Sequence, residues 1–180
     1  VTAMSRTLSR ILRQFRSDQR GTVLVEMAFV APLMLILSAG VFEFGNLIHD
    51  KLLMEAGLND GARFAARCNS ALYTKAGLSA IDCADIATNI AVFGNVAGTG
   101  SARVGGWEKS DVTVTIGDST TCHDAVDPST GTVLYLSTTS QVCIVTASGT
   151  YAYTGVGMLS LLNIGPITLS SSHQERLIRF

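Results

Sequence analysis

Charge is sparse in this chain of 180 residues: only 15% of side chains are Asp, Glu, Lys or Arg, and between Arg20 and Glu43 the single charged one is Glu26. Hydrophobic residues make up 47% and the mean hydropathy is +0.35. That is high for a soluble domain, and it is concentrated in one stretch. Several other signals are missing. No C-x-x-C or H-x-x-x-H spacing is present, and Cys122 beside His123 is poor material for a zinc site. The glycine-rich "GNVAGTGSARVGG" (residues 94–106) reads as a loop or linker; it lacks the lysine and hydroxyl residue of a phosphate loop, and lacks a strand before it and a helix after it, which excludes nucleotide binding there. His49, His123 and His173 are scattered over a helix, a loop and the last strand, and no nucleophile elbow accompanies them. "CHDAVD" with Asp118 upstream does not fit a calcium loop. Neither an internal repeat nor a low-complexity segment occurs. No catalytic residue, metal ligand or cofactor is therefore assigned, and the length suits one modest domain plus an anchor.

What is present is an uneven charge distribution around an apolar run. Residues 1–20 carry five arginines against Asp18, whereas the rest carries eight basic and thirteen acidic side chains. A basic tail and an acidic body point to an oriented membrane protein. Nucleic-acid binding would need a basic face on the folded part, and the only basic cluster abuts the apolar run. Residues 21–42 would span about 33 Å as a helix, enough for a bilayer core of about 30 Å. The positive-inside rule places the N-terminus in the cytoplasm and residues beyond about 45 outside.

The run admits three readings. A cleaved secretory signal would use residues 27–37 as its apolar core and "SAG" (Ser38, Ala39, Gly40) as its cleavage site. An uncleaved anchor is the second. Against the first, Phe44, Ile48, Leu52 and Ala56 follow at i+4 steps, so helical character continues past Gly40. The third reading turns on Glu26. An ionised carboxylate in hydrocarbon costs a few kcal/mol and needs a partner. No basic residue lies one or two turns further on. If the chain were cut after Gly21, the ammonium of the new N-terminus at Thr22 would become available, and Glu26 would be the fifth residue. The amine of a neighbouring copy could then pair with it, specifying assembly rather than adding stability.

"RGTVLVEMAFVAPLMLIL", then "FEFG", then "NDGARFAAR" resemble the TadE-like pseudopilin and minor pilin family of tight-adherence (Tad, type IVc) pilus systems. Gly21, Val25, Glu26, Ala28, Pro32, Glu43, Gly45, Gly61, Ala62, Arg63, Phe64, Ala65 and Ala66 match that family's pattern in order, over about residues 20–67. Met27 departs from the E-Y pair of the major pilins, and with the large domain after the helix this resembles a minor pilin. The resemblance implies a prepilin peptidase, the major pilin, related minor pilins and an ATPase-driven inner-membrane platform as partners, along with membrane lipid. It also hints that Arg63 packs on the globular domain. Pro32, costly in a soluble helix, is tolerated in membranes and reads as a kink or as a site of local melting.

The rest reads as an α+β domain of pilin-like architecture. One helix spans residues 22–68, with Asp60, Arg63 and Arg67 spaced to pair along a face, and a second covers about residues 78–93. From residue 110 the period becomes two: "DVTVTIG", "TVLYLS", "QVCIVTASGTYAY" and "ITLSSSHQERLI" are expected as antiparallel strands, with a turn at "DPSTG". Cys68, Cys83, Cys122 and Cys143 favour disulfides in an oxidising compartment. Three connectivities are possible; pairing Cys68 with Cys83 and Cys122 with Cys143 closes two short loops and is preferred. The expected organisation is a basic cytoplasmic leader (1–21), a transmembrane helix (22–45) and an extracytoplasmic domain (46–180) at a bacterial inner membrane or in a pilus. The expected role is pilus assembly, as a peptidase substrate rather than an enzyme. The rival is an anchored or secreted binding module, for which Glu26 would be dispensable.

Overall fold

In a computed structural model the described residues are 20–134, 141–155, 157 and 164–178. The chain divides into two compact units, Val1–Phe44 and Gly45–Phe180. Helix α1, Arg20–Arg67, is continuous over 48 residues with Pro32 inside it. In the first unit its side chains from 21 to 42 are exposed almost without exception, Phe29 at 77%. Gly21–Arg67 is long and apolar enough to cross a membrane, with a mean hydropathy of 2.1 in its most apolar window.

The second unit is α+β. Helix α1 ends at Arg67, and Asn69 restarts the chain as the cap of a short helix α2, Ser70–Lys75, accepting a hydrogen bond from the Ala71 amide at 3.1 Å. Helix α3, Cys83–Phe93, starts later than the expected residue 78. Asp82 explains the difference: its Oδ1 accepts from the Ala84 and Asp85 amides at 3.0 Å, an N-cap that sets the first turn. Gly94, at φ 71°, ends α3 in the left-handed conformation.

The strands are β1 (Val112–Ile116), β2 (Cys122–Asp124), β3 (Gln141–Tyr153) and β4 (Ile167–Arg176), all antiparallel. β3 is central. The Ile144 amide donates to the Thr121 carbonyl at 2.9 Å, and the Ile144 carbonyl accepts from the Gly117 amide. β1 and β2 therefore follow one another along one edge of β3, and β4 occupies the other. β2 escaped the sequence reading because three residues are too few to display a period. Of the expected strand at "TVLYLS", Val133 makes only an isolated bridge to Val126, and residues 135–140 lie outside those described.

β3 buries every second residue from Val145 to Tyr153: Ala147, Tyr151 and Tyr153 belong to a core with Met54 and Leu58 of α1 and Ala91 and Val92 of α3, and Val145 packs with Ala65 and Ala66 of α1 and Ala87 of α3. Such burial is worth about 1.5–3 kcal/mol for each large apolar side chain. The segment expected as a glycine-rich loop or linker is packed: Val104 within it and Trp107 just after it are in the core, and the Trp107 indole donates to the Thr150 carbonyl at 3.1 Å. β4 is tied to α1 along its outer edge, where Lys51 donates to the Ser170 carbonyl and the Ile178 amide to the Ala66 carbonyl at 2.8 Å. Covering a strand edge in this way blocks adventitious pairing. Disulfides join Cys68 to Cys83 and Cys122 to Cys143.

Candidate functional site

The residues singled out from sequence fall into two groups. Gly21, Thr22, Glu26 and Pro32 belong to the first unit. Gly21 and Thr22 occupy the first turn of α1, where backbone amides lack intrahelical acceptors, and a Cβ at Gly21 would meet nothing within 4 Å. Glu26 is exposed, and the positions one turn away are Thr22, Val23, Phe29 and Val30, none of them basic. Among the described residues Glu26 has no ion pair. Around it, Val23, Leu24, Val25, Met27, Phe29 and Val30 are all exposed. An apolar surface of this extent is what lipid or a packed neighbour covers. Pro32 cannot donate the amide hydrogen bond to residue 28, yet the helix runs on. Glu43, with 2% exposure, is buried.

The second group is structural. Ala62 and Ala65 have no exposure, Ala66 has 3%, and a Cβ on Gly61 would stand 2.7 Å from the Ala87 carbonyl oxygen. Gly57, one turn earlier, is tighter still: its Cβ would lie 2.3 Å from the Ala91 carbonyl oxygen. Small residues four apart on α1 thus face Ala87 and Ala91 on α3, letting two backbones approach closely. Gly57 was missed in the sequence, although its spacing from Gly61 carries the signal. Gly45 by contrast is exposed with open space around it.

Charged partners differ from the helix-face pairing expected. Asp60 binds Arg103 at 2.7 Å, not Arg63 or Arg67, because the packed loop before Trp107 brings Arg103 over α1. The Arg63 side chain remains 63% exposed and its Nε lies 3.6 Å from Glu175 of β4. Asp118 and Asp127 each organise a turn. The Thr120 hydroxyl donates to Asp118 at 2.6 Å and the Ser129 hydroxyl to Asp127 at 2.6 Å. Those hydrogen bonds and the accompanying amide ones hold both carboxyls below the usual 3.8. Among the described residues no group of three or more His, Cys, Asp or Glu side chains is placed to hold a metal ion.

The family model described as TadE-like protein matches residues 21–63. The segment that carries Gly21, Glu26, Pro32, Glu43, Gly45 and Gly61 is therefore similar to TadE-like proteins. No curated protein and no solved structure matches the chain.

Proposed function

We propose that this chain, TadE-like over residues 21–63, is a minor pilin or pseudopilin that takes part in assembling a Tad-type adhesive pilus. Its basic residues 1–21 serve as a cytoplasmic leader, residues 22–45 cross the inner membrane, and residues 46–180 form the domain outside. A prepilin peptidase cuts after Gly21. Thr22 then supplies an N-terminal ammonium, and Glu26 pairs with the amine of a neighbouring subunit as the helices pack. The major pilin, related minor pilins and the inner-membrane platform are the partners, and the platform's ATPase drives the work.

The observation that carries this reading is Glu26 itself: a carboxylate on a continuous apolar helix, one turn from no basic residue, five places after a glycine in the matched segment. A carboxylate so placed is costly in a bilayer and is relieved by processing and assembly. The deciding experiment is the N-terminal sequence and intact mass of the protein recovered from its native membrane. Thr22 as first residue is expected. A start near Val41, or an uncut leader, would sink the pilin mechanism and leave an anchored or secreted binding module.

A further inference from the structure

Residues 69–82 bury almost nothing and are nevertheless firmly held. Helix α2 contributes no buried residue, while Leu72, Tyr73 and Leu78 are 51%, 42% and 60% exposed. The excursion is closed at its base by the Cys68–Cys83 disulfide and by the Ile81 amide, which donates to the Ser70 hydroxyl at 3.1 Å. A segment that adds nothing to the core, yet is tied down covalently, displays a surface.

Beside it run the last two turns of α1. Between α1 and α2 lies a groove of about 360 Å3 lined by Arg63, Phe64, Arg67, Asn69, Leu72 and Tyr73 among others. Arg63, Arg67 and Lys75 are three of the eight basic side chains that follow residue 20, in a body with thirteen acidic ones. Arg67 and Lys75 make no ion pair among the described residues, and Arg63 is held only loosely by Glu175. A cation in the last turn complements a helix dipole. That accounts for Arg67 and Lys75 one at a time, but not for the uncovered Leu72 and Tyr73 between them.

We propose that this groove is a docking site for a segment of a partner protein that presents a carboxylate next to an apolar side chain. Arg67, with Arg63 beside it, receives the carboxylate; a guanidinium suits that planar group and grips it through paired N–H donors. The apolar side chain lies between Phe64 and Tyr73. Exposed tyrosine and arginine around an apolar centre is the composition of interaction hot spots. Charge decides the class of occupant: on an otherwise acidic body, a concavity lined by Arg63 and Arg67 selects an acidic partner. This inference does not rest on the pilus reading.

The test uses the full chain in lipid nanodiscs of zwitterionic lipid and a fluorescein-labelled peptide of alternating Glu-Phe-Glu-Leu. The expected result is saturable binding, with amide shifts confined to residues 63–73. Binding should weaken at least tenfold for Arg67→Glu, for Tyr73→Ala, and for a peptide with Gln in place of Glu. Lys109→Glu, outside the groove, should bind as the parent does. Matching amide spectra of Arg67→Gln and the parent keep a folding defect apart from a binding one. Absence of binding at millimolar peptide overturns the proposal, and so does equal binding of the Gln peptide. Arg67-dependent attachment to anionic nanodiscs in place of the peptide, or Arg67-dependent self-association of the chain, overturns it equally.

Discussion

Two glycines on α1 show how much a single hydrogen atom in place of a methyl group can decide. At Gly61 a Cβ would collide with the backbone oxygen of Ala87, which cannot swing aside as a side chain would. Gly61→Ala gains up to about 1 kcal/mol of helix propensity, but overpacking against backbone costs roughly 1–3 kcal/mol. The expected net effect is destabilisation. Gly45→Ala, in open space, should stabilise the same helix by about 0.5–1 kcal/mol. Denaturant unfolding of the full chain in detergent compares the two, and equal effects would refute the packing account. At the same scale, Asp118 and Asp127 carry depressed pKa values because hydroxyls and amides donate to their charged forms. Their stabilising contribution is present above the ordinary 3.8 and is lost as pH falls through the lower folded values. In an NMR titration the amides of Thr120, Thr121, Ser129 and Thr130 should therefore shift with midpoints below 3.8.

Among the elements, α2 and its flanking turns depend most on a covalent tie. The Cys68–Cys83 bridge closes a separation of 15 residues. Chain entropy makes such a loop worth about 3 kcal/mol. Replacing both cysteines by alanine should cost about that much in unfolding free energy. Because α2 buries nothing, the loss should be local first, with hydrogen exchange accelerated in residues 69–82 while the amides of β3 and β4 stay protected. Uniform acceleration across the sheet would show that the bridge also holds the core. The Cys122–Cys143 bridge works differently. It joins residues already opposite each other in the β2–β3 pair, and so pins the register of a three-residue strand too short to hold by itself.

For the whole molecule, the decisive property is the exposed apolar stretch of α1, residues 21–42, with one carboxylate, Glu26. Glu26→Gln removes the charge and leaves shape and length intact. If the chain is the pilus subunit proposed above, the expected outcome is undiminished membrane insertion, since a neutral amide is cheaper to bury than an ion, together with at least a tenfold fall in the fraction incorporated into pili. Quantifying the protein in membrane and sheared-filament fractions tests this. Unaltered incorporation would remove Glu26 from assembly. Leu35→Arg, near the middle of the run, should cost roughly 3–4 kcal/mol of insertion free energy and reduce the membrane-inserted fraction.

Sequence by itself determined the features that depend on one residue or a regular repeat. The apolar run, the i+4 stripe, the period-two strands and an even number of cysteines are all local or compositional, because burial of a face imposes its period directly on the chain. The helix–sheet order and the boundaries of β1, β3 and β4 follow from this to within a residue or two. Tertiary structure decided what depends on who meets whom. Asp60 has Arg63 and Arg67 at good helical spacing but binds Arg103, forty-three residues away, because a loop that reads as a linker packs into the core. Gly57 and Gly61 are small because α3 crosses them; their spacing four apart marks a face for close packing, but not which element packs there. α3 begins at Cys83 rather than residue 78 since the Asp82 cap outweighs the apolar period ahead of it. Only the fold brings Arg63, Arg67, Leu72 and Tyr73 around one groove: the turn between α1 and α2 is made by a cap and a disulfide, and neither has a period to read.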